Sequence, residues 1–295
     1  MDYLSINNNH LQVVISLRGA EVHSIFDLRN QIEYLWQGDQ RYWADRSPLL
    51  FPIIGRLRHG VYSHDGKTYS IESPHGFIKS QMFQPTLVMP DRVVLQTEST
   101  QETKLQYPFA FRFLVEYRLV DAGLVFSFQI ENAGDQPLPF SLGTHSGFRV
   151  PLLNDEKFGD YSLMFEYEEN PYQVELDGVF LSGKTSAFAL QSHRFLPLRH
   201  CLFEHEAIIL GGIQKKSVSL IDPAGIARWS LYLDDFDYLT LWQPPQTDAP
   251  FVCLECWNGL PDPDEAEIDA LSQKPGIQTL VPGKTAHFSL QIALL

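Results

Sequence analysis

The stretch FRFLVEYRL (111–119) alternates apolar and polar side chains along its length. Because side chains in a strand have a period of two, one face of this segment is apolar and the other carries Arg112, Glu116 and Arg118. The same alternation recurs in LVFSFQIE (124–131), SVSLI (217–221), ARWSLYL (227–233) and HFSLQIALL (287–295). An Asp-Gly pair at the centre of YSHDGKTYSI predicts a two-residue hairpin turn. The sequence therefore predicts a fold dominated by antiparallel sheet.

One short helix is predicted near the carboxyl end. Asp262 can cap it, Pro263 suits its first turn, and acidic residues precede Ile268 and Leu271. Strand–helix repeats are missing from the pattern, so stacked antiparallel sheets are favoured over a doubly wound sheet. No Ser-, Gly- or Pro-rich linker divides the 295 residues. We expect one all-β domain over 1–295, a large antiparallel β-sandwich.

Composition and charge narrow the class of ligand. The chain is 44% hydrophobic and carries a formal net charge of -14, which is typical of a globular protein that repels nucleic acid and anionic lipid. It contains neither a membrane-length apolar run nor a signal-peptide pattern, and we predict a cytoplasmic location. The expected partner is a small molecule that is neutral or only locally anionic. These features do not specify an oligomeric state.

The chain has three cysteines, and two of them form a C-x-x-C pattern in FVCLECW (251–257). In a strand, Cys253 and Cys256 lie ~10 Å apart and point to opposite faces, which is too far for a disulfide. No second cysteine pair completes a zinc site. Neither a redox nor a metal role is predicted for these thiols.

Ionisable side chains beside glycine or proline interrupt the alternation in four stretches: LLFPIIGRLRHG (49–60), SPHGF (73–77), LGTHSGF (142–148) and FVCLECWNGLPD (251–262). Strand ends and the loops after them often carry functional groups. The common nucleotide-binding, serine hydrolase and zinc-protease motifs are missing from the sequence. These four stretches are therefore the candidate site.

Three side chains in these stretches are candidate proton carriers or ligands. Glu255 lies in an otherwise apolar run, where a carboxyl group must be paired, hydrogen-bonded or protonated. The structural alternative is a salt bridge from Glu255 to Arg56 or Arg149. His145 and His75 lie beside glycine, and a histidine in that setting is more often a hydrogen-bonded structural residue than a catalyst.

Taken together and in this order, these stretches resemble the aldose 1-epimerase (galactose mutarotase) family, and within it the subgroup typified by the lactose-operon X protein. The resemblance rests on four segments: YLWQGDQRYWADRSPLLFPIIGRL (34–57) followed by a D-G hairpin and HGF, LGTHSGFRVPL (142–152), LTLWQPPQTDAPFVCLECWNGLPD (239–262) and LVPGKTAHFSLQI (280–292). It extends over nearly the whole chain. It implies a galactose mutarotase-like supersandwich with a monosaccharide site in a cleft on one sheet.

The resemblance also implies roles for individual residues. Glu255 would be the general base that takes the proton of the anomeric hydroxyl, and His145 the acid that protonates the ring oxygen. Arg56 and His75 would position the sugar, and Trp242 would line the cleft. No metal ion and no organic cofactor are implied.

The sequence departs from the family pattern at a few positions. Ser146 and Cys256 stand where relatives usually have proline, after the histidine and after the glutamate. Ile78-Lys79 stands where alanine and arginine are usual. The family pattern also includes an acidic residue in a later strand. Glu206 is a weak candidate for that residue, and we leave it out of the catalytic set.

The reaction that the resemblance implies is interconversion of the α and β anomers of a free aldohexose. It needs one proton removed at O1 and one delivered at O5. A carboxylate and an imidazolium on opposite sides of the sugar would suffice. We expect burial to raise the pKa of Glu255, and nearby carboxylate charge to keep His145 protonated. The small residues Gly143, Ser146 and Gly147 are expected to leave room for the sugar.

Two alternatives concern the ligand and the activity. Arg56, Arg58 and Lys79 would supply local positive charge for a sugar phosphate. The replacements at Ser146 and Cys256 would suit a carbohydrate-binding or sensing protein without turnover. A third alternative is a cupin-like metal site built from both histidines and the glutamate, which requires ligand atoms ~2.0–2.2 Å from an ion.

Overall fold

A computed structural model describes residues 2–265 and 270–295 of the chain. The strands are β1 (Tyr3–Asn7), β2 (Leu11–Ser16), β3 (Val22–Asp27), β4 (Ile32–Glu33), β5 (Leu49–Leu50), β6 (Val61–His64), β7 (Lys67–Ser70), β8 (Gln84–Met89), β9 (Arg92–Glu98), β10 (Phe111–Val120), β11 (Gly123–Asn132), β12 (Leu138–Phe140), β13 (Gly143–Thr144), β14 (Ser146–Arg149), β15 (Ser162–Phe165), β16 (Tyr172–Asp177), β17 (Phe180–Ala187), β18 (Phe195–Pro197), β19 (Ile208–Gly211), β20 (Ser217–Ile221), β21 (Ala227–Tyr232), β22 (Tyr238–Trp242), β23 (Phe251–Trp257), β24 (Gln278–Leu280) and β25 (Thr285–Leu294).

Helical structure in the described residues is short. The α-helix α1 (Gln101–Gln106) is capped by Thr100, whose hydroxyl accepts a hydrogen bond of 3.1 Å from the backbone N–H of Thr103. Single 3₁₀ turns lie at Arg58–Gly60, Ile78–Ser80, Phe158–Asp160, His200–Phe203 and Leu271–Gln273. Within the described part of the chain, no helix has the length and apolar character needed to cross a membrane.

The five strands predicted from alternation are neighbours in one antiparallel sheet. Its nine strands run in the order β18-β15-β20-β21-β25-β11-β10-β9-β8. In β10 every second residue from Phe111 to Leu119 is buried, and Phe113 pairs with Ile130 of β11. The prediction of a half-buried antiparallel sheet is confirmed.

A second large sheet contains none of the five strands predicted from alternation. Its order is β17-β16-β19-β22-β23-β13-β5, and β14 also pairs with β23. Every residue of β23 is buried. On its outer face, Trp36 and Trp43 from the segment before β5 stack on Phe251, and His75 from the segment after β7 packs on Trp257. A strand covered on both faces shows a continuous apolar run instead of alternation.

The inner faces of the two large sheets pack together to form the main core. Phe148 of β14 stacks on Trp229 of β21 with ring centroids 4.2 Å apart. Phe51, directly after β5, packs against Phe113 of β10 at 5.4 Å. The all-β sandwich predicted from the sequence is confirmed. Smaller sheets, β1-β2-β3-β4, β6-β7 and β12-β24, complete the described structure.

Three local predictions have different outcomes. The Asp65-Gly66 hairpin is confirmed: His64 pairs with Lys67, and both turn residues have positive φ. Cys253 and Cys256 are buried free thiols on opposite faces of β23, as predicted. The helix predicted after Asp262 falls largely on residues 266–269, which lie outside the described residues.

Candidate active site

A cleft of about 440 Å³ opens on the outer face of the β22–β23 sheet, within the usual range for small-molecule sites. Alternation along β23 places residues on both of its sides. Val252, Leu254 and Cys256 belong to the core between the sheets, whereas Glu255 and Trp257 line the cleft. One strand therefore supplies both core and site.

The structure brings His145 and Glu255 into contact at the floor of the cleft. His145 lies between β13 and β14, which both pair with β23. Its Nε2 is 3.3 Å from Oε1 of Glu255. This separation is longer than the 2.7–2.9 Å typical of charge-assisted hydrogen bonds. The two side chains are therefore close enough to reach the same small molecule in the cleft.

Glu255 is a buried carboxyl group with little solvation. Its side chain is 1% exposed, and burial raises its pKa well above the usual range, as the apolar run predicted. Nε1 of Trp257 donates a hydrogen bond of 3.1 Å to Oε2, which opposes that rise. No arginine pairs with Glu255 within the described residues, so the structural alternative of a salt bridge to Arg56 or Arg149 is wrong.

His145 lies in an aromatic environment. Its ring stacks on Trp43 at 4.7 Å and meets Trp242 edge-on at 5.3 Å. Burial lowers its pKa well below the ordinary value, and the neighbouring His75 and Lys79 side chains lower it further. The expectation that carboxylate charge keeps His145 protonated is wrong, because Glu255 is itself driven towards its neutral form.

The small residues around His145 admit packing partners, not a sugar. A Cβ on Gly147 would lie 3.1 Å from the Trp43 ring, and one on Gly143 would lie 2.8 Å from Ile54. The Ser146 hydroxyl is buried and shares a hydrogen bond of 2.7 Å with Ser47. The sequence expectation that these residues leave room for the sugar is therefore wrong.

The backbone hydrogen bond of His75 determines which of its ring nitrogens carries the proton. It lies at a left-handed backbone position, with φ 62°, and Nδ1 accepts a hydrogen bond of 3.2 Å from the N–H of Gly55. Burial, together with the positive charges of Lys79, Arg56 and Lys274, lowers its pKa to about 3. His75 is therefore neutral, and its proton resides on Nε2, which can donate a hydrogen bond.

The donor set tests the metal alternative directly. One ligand atom from each of His75, His145 and Glu255 lies within 4.8 Å of the others. However, the Nδ1 lone pair of His75 is already used by Gly55, and the remaining nitrogen then carries a proton. A metal would need a free lone pair on each imidazole, so the residues do not suit a metal centre in this arrangement.

The three basic residues considered for binding a sugar phosphate have different surroundings. Arg58 pairs with Asp264 at 2.7 Å and does not line the cleft. Lys79 lines the cleft but pairs with Asp45 at 3.0 Å. Arg56 lines the cleft, is exposed, and has no ion-pair partner among the residues that the structure describes.

Several lining residues were not among the sequence-predicted ones. Trp43 and Asp45 both line the cleft, and the only available signal was their position in the segment that resembles the family. Glu206, the weak candidate, also lines the cleft, where burial raises its pKa. Trp242 lies in the lining as predicted.

Comparison with known proteins agrees with this architecture. The family model described as aldose 1-epimerase matches residues 2–180. The chromosomal LacX protein of Lactococcus lactis subsp. lactis is 30% identical over 300 residues, covering 99% of both chains.

Two solved structures are similar over almost their whole length. A galactose mutarotase related enzyme from Lactobacillus acidophilus has a TM-score of 0.94 at 29% identity, covering 99% of this chain and 97% of its own. A galactose mutarotase-like protein from Lactobacillus casei has a TM-score of 0.92 at 32% identity, covering 99% and 100%. The family match and these full-length relatives establish that the chain belongs to the aldose 1-epimerase family.

Proposed function

We propose that this protein interconverts the α and β anomers of a neutral aldohexose, such as galactose or glucose, by general acid–base ring opening. The observation that carries the proposal is the 3.3 Å approach of His145 Nε2 to Glu255 Oε1 on the cleft floor. The family supplies the reaction class.

The separation of the two side chains suits the reaction. O1 and O5 of a pyranose are both bonded to the anomeric carbon, so proton carriers for these oxygens must be near each other. We expected the two side chains on opposite sides of the sugar, but they lie side by side. Nδ1 of His145 is buried and has no partner among the described atoms, which leaves Nε2 as the nitrogen that can reach a substrate.

The pKa directions define how the pair holds its proton. Burial favours neutral Glu255 and neutral His145, so the pair carries one proton on the carboxyl group. Transfer of this proton to Nε2 gives a carboxylate and an imidazolium without changing the proton count. Glu255 then takes the O1 proton while His145 protonates O5, and the roles reverse after the aldehyde rotates.

Neighbouring groups fit supporting roles. The Trp257 N–H stabilises the Glu255 carboxylate, and the Nε2–H of His75 is available to a sugar oxygen. Arg56 at the exposed edge of the cleft can donate to sugar hydroxyls, and Trp43 and Trp242 offer aromatic surface to the apolar parts of the ring.

Anomer exchange measured by NMR on fresh α-galactose and α-glucose tests the proposal. We expect the wild-type protein to exceed the buffer rate. Glu255→Gln and His145→Asn should each lose about 10²–10⁴-fold in rate. The matched control is Glu131→Gln, which removes a carboxylate paired with Arg112 on the nine-stranded sheet and should leave the rate unchanged.

Other outcomes decide against the proposal. Equilibration no faster than buffer for every aldose, combined with measurable sugar binding, would identify a binding or sensing protein. A strong preference for hexose 6-phosphate over free hexose would support the phosphate alternative. If Glu255→Gln retained the full rate, the assignment of Glu255 as a proton carrier would be refuted.

A further inference from the structure

An ion pair lies inside the cleft and is not used by the proton-transfer chemistry. Lys79 Nζ is 3.0 Å from Asp45 Oδ2, and both side chains are 36% exposed. Both line the cleft together with His75 and His145. The ammonium group lies close enough to lower the pKa of both histidines, so it belongs to the electrostatics of the site.

Each partner is held by a separate part of the backbone. Lys79 lies in the 3₁₀ turn that follows Phe77, and the N–H groups of Phe77 and Ile78 donate to the carbonyl of Phe51. Asp45 precedes two residues whose N–H groups donate to Oε1 of Glu21. The ion pair therefore joins two anchored segments at a fixed point of the cleft wall.

The pair changes the charge that a ligand meets. Without Asp45, the cleft would present two cations, Lys79 and Arg56, beside two neutral histidines. With Asp45, the ammonium is compensated and Arg56 remains as the lining cation without an ion-pair partner among the described residues. The carboxyl group of Glu206 lies near enough for Arg56 to lower its pKa.

Resting on the proposed function, we propose that Asp45 is a specificity-determining residue, which masks Lys79 and thereby selects neutral sugars over sugars that carry an anionic group. The ammonium would otherwise bind a carboxylate or a phosphate through charge-assisted hydrogen bonds. An anionic sugar would have to displace the Asp45 carboxylate before it could bind the Lys79 ammonium, and this requirement weakens its binding relative to a neutral sugar.

The test measures binding by quenching of the cleft tryptophans and by calorimetry, with galactose, galacturonate and galactose 6-phosphate as the probes. In Asp45→Asn we expect the affinity ratio of anionic to neutral sugar to rise about tenfold or more at low salt. The rise should shrink as salt screens the ammonium. The two anionic probes show whether the site takes a carboxylate, a phosphate or both.

Two further variants isolate the cause. Asp45→Asn combined with Lys79→Gln should return the affinity ratio to the wild-type value, since the ammonium group that Asp45→Asn uncovers is then removed. Asp39→Asn removes a carboxylate from a pair with Arg41 outside the cleft lining and should leave the ratio unchanged.

An unchanged ratio in Asp45→Asn overturns the inference. Equal loss of affinity for neutral and anionic sugars also overturns it, since Asp45 would then bind sugar hydroxyls directly. A wild-type preference for anionic sugar does the same. If the wild-type protein binds galactose without accelerating anomer exchange, the proposed function fails, while the binding ratio still decides the role of Asp45.

Discussion

The hydrogen bond from Trp257 to Glu255 allows a prediction about pH dependence. Trp257→Phe keeps an aromatic ring on β23 but removes the Nε1–H that donates to Oε2 at 3.1 Å. This donor favours the carboxylate, so its loss raises the pKa of a carboxyl group that burial has already raised. The variant should therefore hold less carboxylate at neutral pH.

The size of the effect follows from the bond that is lost. A hydrogen bond to a charged group contributes about 1.5–3 kcal/mol, which corresponds to a carboxylate population about 10- to 100-fold smaller. At pH 7 the rate of anomer exchange should fall by that factor. The limb of the pH–rate profile that reports Glu255 should move to higher pH. The difference in rate between the variant and the wild-type protein should become smaller as pH rises.

The assay is the pH dependence of kcat/KM for α-galactose, after subtraction of the buffer rate at each pH. Trp229→Phe is the matched control, because Trp229 is buried between the sheets and its Nε1 has no hydrogen-bond partner among the described atoms. A uniform loss of rate, with no movement of the profile, would refute the proposed action of Trp257 on Glu255.

Three further predictions concern stability. Because the folded pKa of Glu255 is raised above 4.5, its contribution to stability is present below that value and is lost as pH rises through the folded pKa. Glu255→Gln should therefore raise Tm by about 2–4 °C at pH 8 and by little at pH 4; equal shifts at both pH values would contradict this. In Gly147→Ala, the new Cβ lies 3.1 Å from Trp43, so thermal melts should show about 1–3 kcal/mol of destabilisation, and anomer exchange should slow as Trp43 moves away from His145; an unchanged Tm would contradict the tight packing. Lys274→Met removes a buried ammonium 2.7 Å from Asp262 and should cost about 3–5 kcal/mol in urea unfolding, whereas Lys216→Met, from a partly exposed pair with Asp237, should cost less than about 1 kcal/mol.

The sequence predicted one sheet far better than the other. Strands β10, β11, β20, β21 and β25 alternate because one face packs on the core while the other remains polar, and they form the centre of the nine-stranded sheet. The strands that carry the site do not alternate, since β23 is buried on both faces. The apolar run FVCLECW still predicted β23 as a strand, and the structure confirms it. Its neighbours β13, β14 and β22 were not predicted, because their pairing with β23 depends on the tertiary arrangement.

The same distinction applies to the candidate site. The raised pKa of Glu255 was predictable because its neighbours in the strand are apolar. The lowered pKa of His145 was not, since it depends on burial within the folded cleft, with Trp43 stacked on its ring and Lys79 nearby. The Asp45–Lys79 pair was missed for the same reason: it joins segments that are separate in the sequence.

The two departures from the family pattern lie behind the proposed proton carriers, His145 and Glu255, and outside the cleft. Alternation places Ser146 and Cys256 on the face opposite His145 and Glu255, and neither residue lines the cleft. The Ser146 hydroxyl bonds to Ser47, and the Cys256 thiol, whose pKa burial raises to about 12, has Thr144 as a hydrogen-bond partner. Both side chains therefore make contacts within the fold. The two replacements therefore bear on how rigidly His145 and Glu255 are held, and they leave the lining of the cleft unaltered.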